Sequence, residues 1–435
     1  MNEQTRKTEA FIEAHALGPK QIETANLVSA FLSEMELGLV DEERSSLKMI
    51  ATYTSVVDSL PVDTPVIVID AGGTNLRSCL VSFDAAGKPI VSDFRKTSMP
   101  GVKEEVSSEE FFSALADCCE HLIEQSDQIG FCFSYAAKIH SNRDGVPLIF
   151  SKEIKAPSVI GMPVGASLLA ELARRGYDVS KKRIAVLNDT VATLLAGVSA
   201  QNELPYSGYI GFILGTGTNT AYVESNEKIE KLELPQGSQI INVESGGFSY
   251  CPGSVDRAYF DSTEHPEHYL LEKMISGAYI GPLSHAVITH AIEANLFSEG
   301  FAQRFADLKT LSTAEMSNYL EMPFNSEYVL VSCVAENEAD AHTLWLLIDS
   351  LIGRAAKLTA ASLAATVIKQ GVGKDPRHPV LINADGTTFY KTENLQRYTD
   401  YYLYEYLTLE RGYHYRFTQI ADSPTIGAAI AALGV

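Results

Sequence analysis

Val66-Ile67-Val68-Ile69-Asp70-Ala71-Gly72-Gly73-Thr74-Asn75-Leu76-Arg77-Ser78-Cys79-Leu80-Val81 is the stretch on which the reading of this chain turns. A β-branched apolar run ends at a carboxylate. A Gly-Gly-Thr-Asn turn follows, then a second apolar run, which together predict a β-hairpin. Paired glycines permit φ > 0 and let backbone N–H groups come close to an anion. Asp70, at the strand tip, is placed to hold a metal ion through water. Taken alone, the stretch is equally compatible with an ordinary glycine-rich hairpin.

A second stretch has the same form. Gly208-Tyr209-Ile210-Gly211-Phe212-Ile213-Leu214 leads into Gly215-Thr216-Gly217-Thr218-Asn219 and then Thr220-Ala221-Tyr222-Val223. Gly217-Thr218-Asn219 repeats Gly73-Thr74-Asn75 in the same kind of hairpin, which points to an internal duplication. The turn runs into a strand, whereas a Walker loop opens a helix and carries Lys-Ser/Thr. The same run into a strand argues against a dinucleotide-binding Gly-x-Gly-x-x-Gly. Two such turns suit a polyphosphate, because amides and hydroxyls donate to phosphate oxygens.

Between and around the hairpins the chain alternates strands and helices. Residues 8–37 are expected to be helical with a break at Gly18-Pro19, and Ser45–Tyr53 is expected to form a short helix. Ile90–Ser98 is a third strand. Ser108–Ser126 is a helix with Ser108 as its N-cap. Strands are expected at Ile129–Ser134 and Arg183–Leu187, and Val380–Thr387 is expected to be a strand ending in a turn. Small-residue helices are expected after Asn188-Asp189-Thr190 and again at Asp422–Leu433, beginning near Pro424.

Composition narrows the function classes. At 435 residues the chain has room for two or three domains, and its 46% hydrophobic and 20% charged content is that of a globular protein. A formal net charge of −21 argues against a nucleic-acid partner. Met1–Lys20 has no apolar core of a secretory signal. The longest apolar candidate span, Leu344–Ile368, is interrupted by Asp349, Arg354 and Lys357, so no membrane partner is expected. Six cysteines without a Cys-x-x-Cys pair read as buried thiols of a cytoplasmic protein. His265 and His268 flank Pro266 in a polar loop, with no third ligand to make a metal site.

Asn188, Asp189, Asn219, Glu244 and Glu272 add amides and carboxylates near strand ends, the mixture that vicinal hydroxyls require. Singly, Asp189 reads equally well as a helix cap, and Glu244, Glu272 and Lys152 as surface charges.

Taken together, the chain resembles the eukaryotic-type hexokinase family within the actin-like ATPase superfamily. The resemblance rests on Phe31-Leu32-Ser33-Glu34-Met35, Leu47-Lys48-Met49-Ile50, Asp70–Arg77, Phe131-Cys132-Phe133-Ser134, Leu187–Thr190, Gly215–Asn219, Asn242-Val243-Glu244, Glu272–Gly277, Arg354-Ala355-Ala356 and Asp385-Gly386-Thr387. It implies an α/β fold of two RNase H-like lobes with a ligand cleft between them. Residues 62–200 would form the small lobe and 201–421 the large lobe. Residues 1–61 would supply helices packed on the large lobe, and 422–435 a helix returning to the small one.

The resemblance also implies ATP-dependent phosphorylation of the 6-hydroxyl of a hexose, glucose foremost, as the first step of glycolysis, with ATP and Mg²⁺ as cofactors. Asp189 would be the general base. Ser134, Ser151, Lys152, Asn188, Asn219, Glu244 and Glu272 would hold the sugar. Asp70, Gly72, Gly73, Thr74, Asn75 and Arg77 would meet phosphate and, through water on Asp70, Mg²⁺. Gly215, Thr216, Gly217, Thr218 and Gly386 would close on the other side of the nucleotide. A non-catalytic sugar sensor and an ATPase without a sugar site are the alternatives. Asp189 and both turns speak against the first, and Glu244, Glu272 and Ser151-Lys152 against the second.

The chain departs from the family pattern in four places, one of them Pro282, which replaces the acid often seen after Leu-Gly (here Ile280-Gly281) while Glu272 remains. Phe133-Ser134-Tyr135-Ala136 stands where Phe-Ser-Phe-Pro is usual, which leaves the preferred sugar open. Ile352 replaces a common Ser, and Ser423-Pro424-Thr425-Ile426-Gly427-Ala428-Ala429 replaces Gly-Ser-Gly-x-Gly-Ala-Ala. Both of these are expected on the adenosine side.

Overall fold

The computed structural model describes residues 3–57, 59–150, 154–199 and 205–434. Two mixed sheets form the two lobes. The smaller one runs in the order Pro89–Ser98, Asn75–Phe83, Val66–Ala71, Gln128–Phe133 and Arg183–Leu187. The larger runs Ser238–Asn242, Thr218–Ser225, Gly208–Leu214, Val380–Asp385 and Tyr415–Thr418, with Ile50–Ala51 added outside Ser238–Asn242. In both sheets the first strand pairs antiparallel with its hairpin partner and parallel with the fourth strand. The repeat of Gly-Thr-Asn is thus the local trace of a repeated topology, the two RNase H-like lobes of a duplicated α/β fold.

All six residues of Val66–Ala71 are buried, because the small sheet is covered on both faces. Ile67, Ile69 and Ala71 share a core with Phe111 and Leu115 of helix Ser108–Cys119. Val66 and Val68 face the other way, into a core with Ile426, Ala429 and Ile430 of helix Ser423–Leu433. The period-two alternation of the pleat divides one apolar run between two cores.

Two small-residue helices, Asp189–Ser199 and Ser423–Leu433, lie in that second core beside residues of both sheets, Val68 and Leu187 on one side and Ala221 and Ile240 on the other. They approach backbone to backbone. A Cβ on Gly427 would strike the Ala192 carbonyl, one on Gly130 the Ala428 carbonyl, and one on Gly211 the Thr190 carbonyl. Asn383, fully buried, braces the same junction. Its Nδ2 donates to the Thr193 carbonyl (2.7 Å) and to Ser423 Oγ (3.0 Å), and its Oδ1 accepts from the Ile420 N–H (3.2 Å). Each polar atom of this interior amide therefore has a partner, as burial demands.

Helices Glu3–Ala14 and Thr24–Val40 pack on Glu338–Gln370 of the large lobe. The last is apolar and long enough to cross a membrane by composition, yet its most apolar window is 89% buried in the protein, so here it is a core helix. Asn337 caps its start through the Ala339 and Asp340 N–H groups, and Gly371 ends it at φ 77°.

Several local expectations are corrected. Ser45–Tyr53 forms no helix: Ile50–Ala51 pairs antiparallel with Ile241 and Asn242, and Met49 and Tyr53 have φ of 46° and 53°. The edge of the large sheet offers unpaired backbone groups, and this segment takes them. Thr52 Oγ1 donates to the Ile240 carbonyl at 2.8 Å. The cap of the first long small-lobe helix is Ser107, not Ser108, in a reciprocal box with Glu110, and the helix ends at Cys119 before a 3₁₀ turn. Cys251 is exposed, while the other five cysteines are buried.

Gly427→Ala is expected to destabilise the protein by about 1–3 kcal/mol, the usual cost of overpacking where only backbone can yield. Gly300→Ala, whose new Cβ meets only the far end of the Arg304 side chain, is expected to be neutral or stabilising. Thermal denaturation of the two variants checks this, and equal melting temperatures would contradict it.

Candidate active site

The first turn is held at its base and bare at its tip. The Gly72 N–H donates to the Asn75 carbonyl (3.0 Å), and the Met99 N–H to the Thr74 carbonyl (3.0 Å). Gly73 and Thr74 are exposed, and their N–H groups have no partner among the described residues. Neither Gly72 nor Gly73 adopts φ > 0, contrary to the expectation from the sequence. The glycines matter here because without side chains the backbone is open to close approach.

The second turn repeats this. Gly215 N–H bonds the Gly217 carbonyl (2.9 Å), and the Gly215 carbonyl accepts from the Gly277 N–H and Thr388 Oγ1 (both 2.8 Å). The Thr216 and Gly217 N–H groups are left without a partner among the described residues. Thr218 is different. Its N–H donates to Glu272 Oε2 (2.9 Å) and its hydroxyl to the Ile213 carbonyl (3.0 Å), so both of its donors are spent inside the protein. Gly386 sits at φ 117° directly against the Leu214 carbonyl, where a Cβ would collide.

Asp189 is the first residue of a helix whose cap is Asn188: Asn188 Oδ1 accepts the Thr190 N–H at 2.8 Å. The capping role falls to the neighbour, and the Asp189 carboxylate is held instead by the Ser134 hydroxyl and by Thr190 Oγ1 at 3.4 Å. Its pKa is nevertheless raised, first by burial and then by the charge of Asp70. Asp70 forms an ion pair with Arg77, and its side chain is 5% exposed. Burial holds its pKa up against the pull of Arg77, and Asp422 pushes the same way.

The hydroxyl-binding candidates of the large lobe form one network. Asn219 Nδ2 donates to Asn242 Oδ1 (2.6 Å) and Glu244 Oε1 (3.3 Å), and Asn242 Nδ2 donates to Glu244 Oε1 (2.8 Å). Glu244 is held in the left-handed region at φ 56°. Burial raises its pKa, and Asp189 adds to the rise. Burial also pushes Glu272 up to about 7. These two carboxylates are therefore not the surface charges that their composition allows. Asn242, 4% exposed, was not among the residues singled out from the sequence. An amide ending a buried strand two residues before Glu244 was the available signal. Ser151 and Lys152 lie outside the described residues.

A cavity of about 1060 Å³ opens beside Glu244 between the lobes, lined by Tyr53, Ala136 and Lys138 on one side and Gly247, His268 and Tyr269 on the other. Of the two departures expected on the adenosine side, Ile352 is fully buried in its helix, and Ser423 and Thr425–Ala429 are buried between the sheets. Arg354, two residues on, is fully buried in a bidentate ion pair with Asp256. Among the described residues no group of three or more His, Cys, Asp or Glu is arranged to hold a metal ion.

Two family models, both described as hexokinase, match residues 7–199 and 209–434. Hexokinase-1 of Spinacia oleracea is 31% identical over 313 residues, covering 67% of this chain and 61% of that one. Hexokinase-7 of Oryza sativa subsp. japonica is 27% identical over 436 residues, 93% of this chain and 92% of that one. The structure of a Schistosoma mansoni hexokinase complexed with glucose superposes over the whole of both chains with a TM-score of 0.79 at 23% identity, a likeness of fold.

Glu272 sets a test by pH. Its carboxyl ordinarily titrates at 4.5 and is pushed to about 7 in the folded chain. Between those values the unfolded chain releases a proton that the folded one keeps, so stability falls as pH rises and levels off above about 7. Glu272→Gln is expected to remove that loss, on the order of 1–3 kcal/mol, so the variant gains on the wild type across the window. Melting curves from pH 4.5 to 8 read the difference, and parallel curves would contradict it.

Proposed function

The chain belongs to the hexokinase family of sugar-phosphorylating enzymes, and on that footing we propose that it transfers the γ-phosphoryl group of ATP to the 6-hydroxyl of a hexose, glucose foremost. The observation that carries this reading is the Asp189 carboxylate, held by Ser134 and Thr190 near Asp70 of the first phosphate turn and Glu244 of the hydroxyl-binding network. The Asp189 carboxylate takes the proton from the 6-hydroxyl as that oxygen bonds to the γ-phosphorus, and the bond to the bridging oxygen breaks to leave ADP. A raised pKa makes Asp189 a stronger base while it remains within hydrogen-bonding support.

Positioning does most of the remaining work, as in phosphoryl transfer generally. The Asn188 amide, the Glu244 and Glu272 carboxylates and the Asn219–Asn242 pair orient the sugar hydroxyls. The open amides of Gly73, Thr74, Thr216 and Gly217 receive phosphate oxygens as preset dipoles. Arg77 adds positive charge, and the resemblance assigns Ser151 and Lys152 to the sugar. Asp70, a single carboxylate beside the phosphate turn, fits Mg²⁺ bound through water, since that ion keeps its hydration and takes one or two carboxylates. Mg²⁺ supplies charge neutralisation on the polyphosphate when bound. In this reading the enzyme is cytoplasmic and opens glycolysis.

Asp189→Ala is expected to lower turnover by about 10²-fold or more while sugar binding survives. ADP release from Mg·ATP against a panel of hexoses, with calorimetric sugar binding to the variant, checks both halves. Absence of hexose-dependent ADP from the wild type would sink the kinase reading. ADP release with no hexose present would favour an ATPase, and near-normal turnover in the variant would remove Asp189 from its role.

A further inference from the structure

Tyr135 stands where the family pattern usually has Phe, and its hydroxyl has a definite task in the fold. The ring is 6% exposed and packs edge-on against Phe133 (5.0 Å between centroids) and Phe150 (5.1 Å). From that pocket the hydroxyl donates to the Gly72 carbonyl at 2.7 Å, with the Gly73 carbonyl at 3.4 Å. The preceding residue reinforces the link. Ser134 N–H donates to the Ala71 carbonyl (3.1 Å), while the Ser134 hydroxyl holds the Asp189 carboxylate. Two adjacent residues thus grip the general base on one side and the phosphate turn on the other.

The geometry of one peptide unit gives that grip a consequence. The Gly72 carbonyl and the Gly73 N–H belong to the same planar amide and point in opposite directions. Holding the carbonyl therefore holds the direction of the N–H, and Gly73 is one of the two open amides at the exposed tip. Glycines on both sides leave this peptide free to rotate unless something stops it. A phenylalanine would fill the same aromatic pocket and leave the carbonyl unheld.

We propose that Tyr135 is a positioning residue that orients the Gly72–Gly73 peptide for a nucleotide phosphate and couples it to the Ser134–Asp189 contact. The proposal rests on the kinase reading above. The test is Tyr135→Phe, beside Phe150→Leu, which disturbs the ring's packing but keeps the hydroxyl. Calorimetry gives the affinity for Mg·ADP, and initial rates give KM for ATP and for the hexose.

For Tyr135→Phe, the Mg·ADP Kd and the KM for ATP are expected to rise about three- to tenfold, the loss of one hydrogen bond. The hexose KM and the melting temperature should stay near the wild-type values. For Phe150→Leu, the melting temperature should fall while the ratio of the two KM values holds. An unchanged Mg·ADP affinity in Tyr135→Phe overturns the proposal, as does a rise of both KM values together. A wild type that binds Mg·ADP but phosphorylates no hexose sinks the kinase reading alone, because the Kd comparison still decides the role of Tyr135. A wild type that binds no Mg·ADP overturns both.

Discussion

Everything at the centre of this protein depends on how closely two helices can cross between two sheets. Gly427 lies against the Ala192 carbonyl, Gly130 against Ala428, and Gly211 against Thr190. No side chain fits at these points, so the helices Asp189–Ser199 and Ser423–Leu433 are built from small residues. Interiors are close-packed, and a displacement at one of these contacts is passed to its neighbours. Asp189 begins one of the two helices. The position of the candidate base is therefore set by backbone contacts in the first turn of its own helix, with Asn383 tying both helices to the large sheet.

The two halves share a topology and use it differently. Each presents a hairpin turn with two consecutive open amides, Gly73 and Thr74 in one, Thr216 and Gly217 in the other. Each turn is also tied to the hydroxyl-binding side. In the small lobe the tie runs through Ser134 and Tyr135, and in the large lobe through the Thr218 N–H to Glu272. Both halves thus connect their phosphate turn to the other end of the site by side chain-to-backbone hydrogen bonds. Such bonds fix direction as well as distance.

The carboxylates at the centre share one electrostatic condition. Burial raises Asp70, Asp189, Glu244 and Glu272 alike; Asp70 adds to the rise at Asp189, Asp189 to that at Glu244, and Glu244 to that at Glu272. Donors hold them: Arg77 on Asp70, Ser134 and Thr190 on Asp189, Asn242 and Asn219 on Glu244, Thr218 on Glu272. A group of acids kept this way has room for further hydrogen-bond donors and cations, which is what a polyol and a hydrated metal bring.

Much of this was legible in the chain itself. The two hairpins, the glycine turns and the strand order within each hairpin follow from period-two apolar runs and turn residues, which act over a few positions. Ser45–Tyr53 was misread because its extended form comes from the edge of a sheet whose partner strand lies far along the chain. Asn188 and Asp189 show the same boundary at finer scale. Either can cap a helix, and only the folded backbone assigned the cap to Asn188 and left the Asp189 carboxylate to Ser134. Thr218, read as a phosphate ligand, proved to be committed to Glu272 and Ile213, and Asn242 joined the network unannounced. The sequence by itself determined the duplicated α/β pattern and the kinds of groups at the site. Only the tertiary structure decided which donors remain open and which carboxylate each one serves, because a hydrogen bond belongs to neighbours in space.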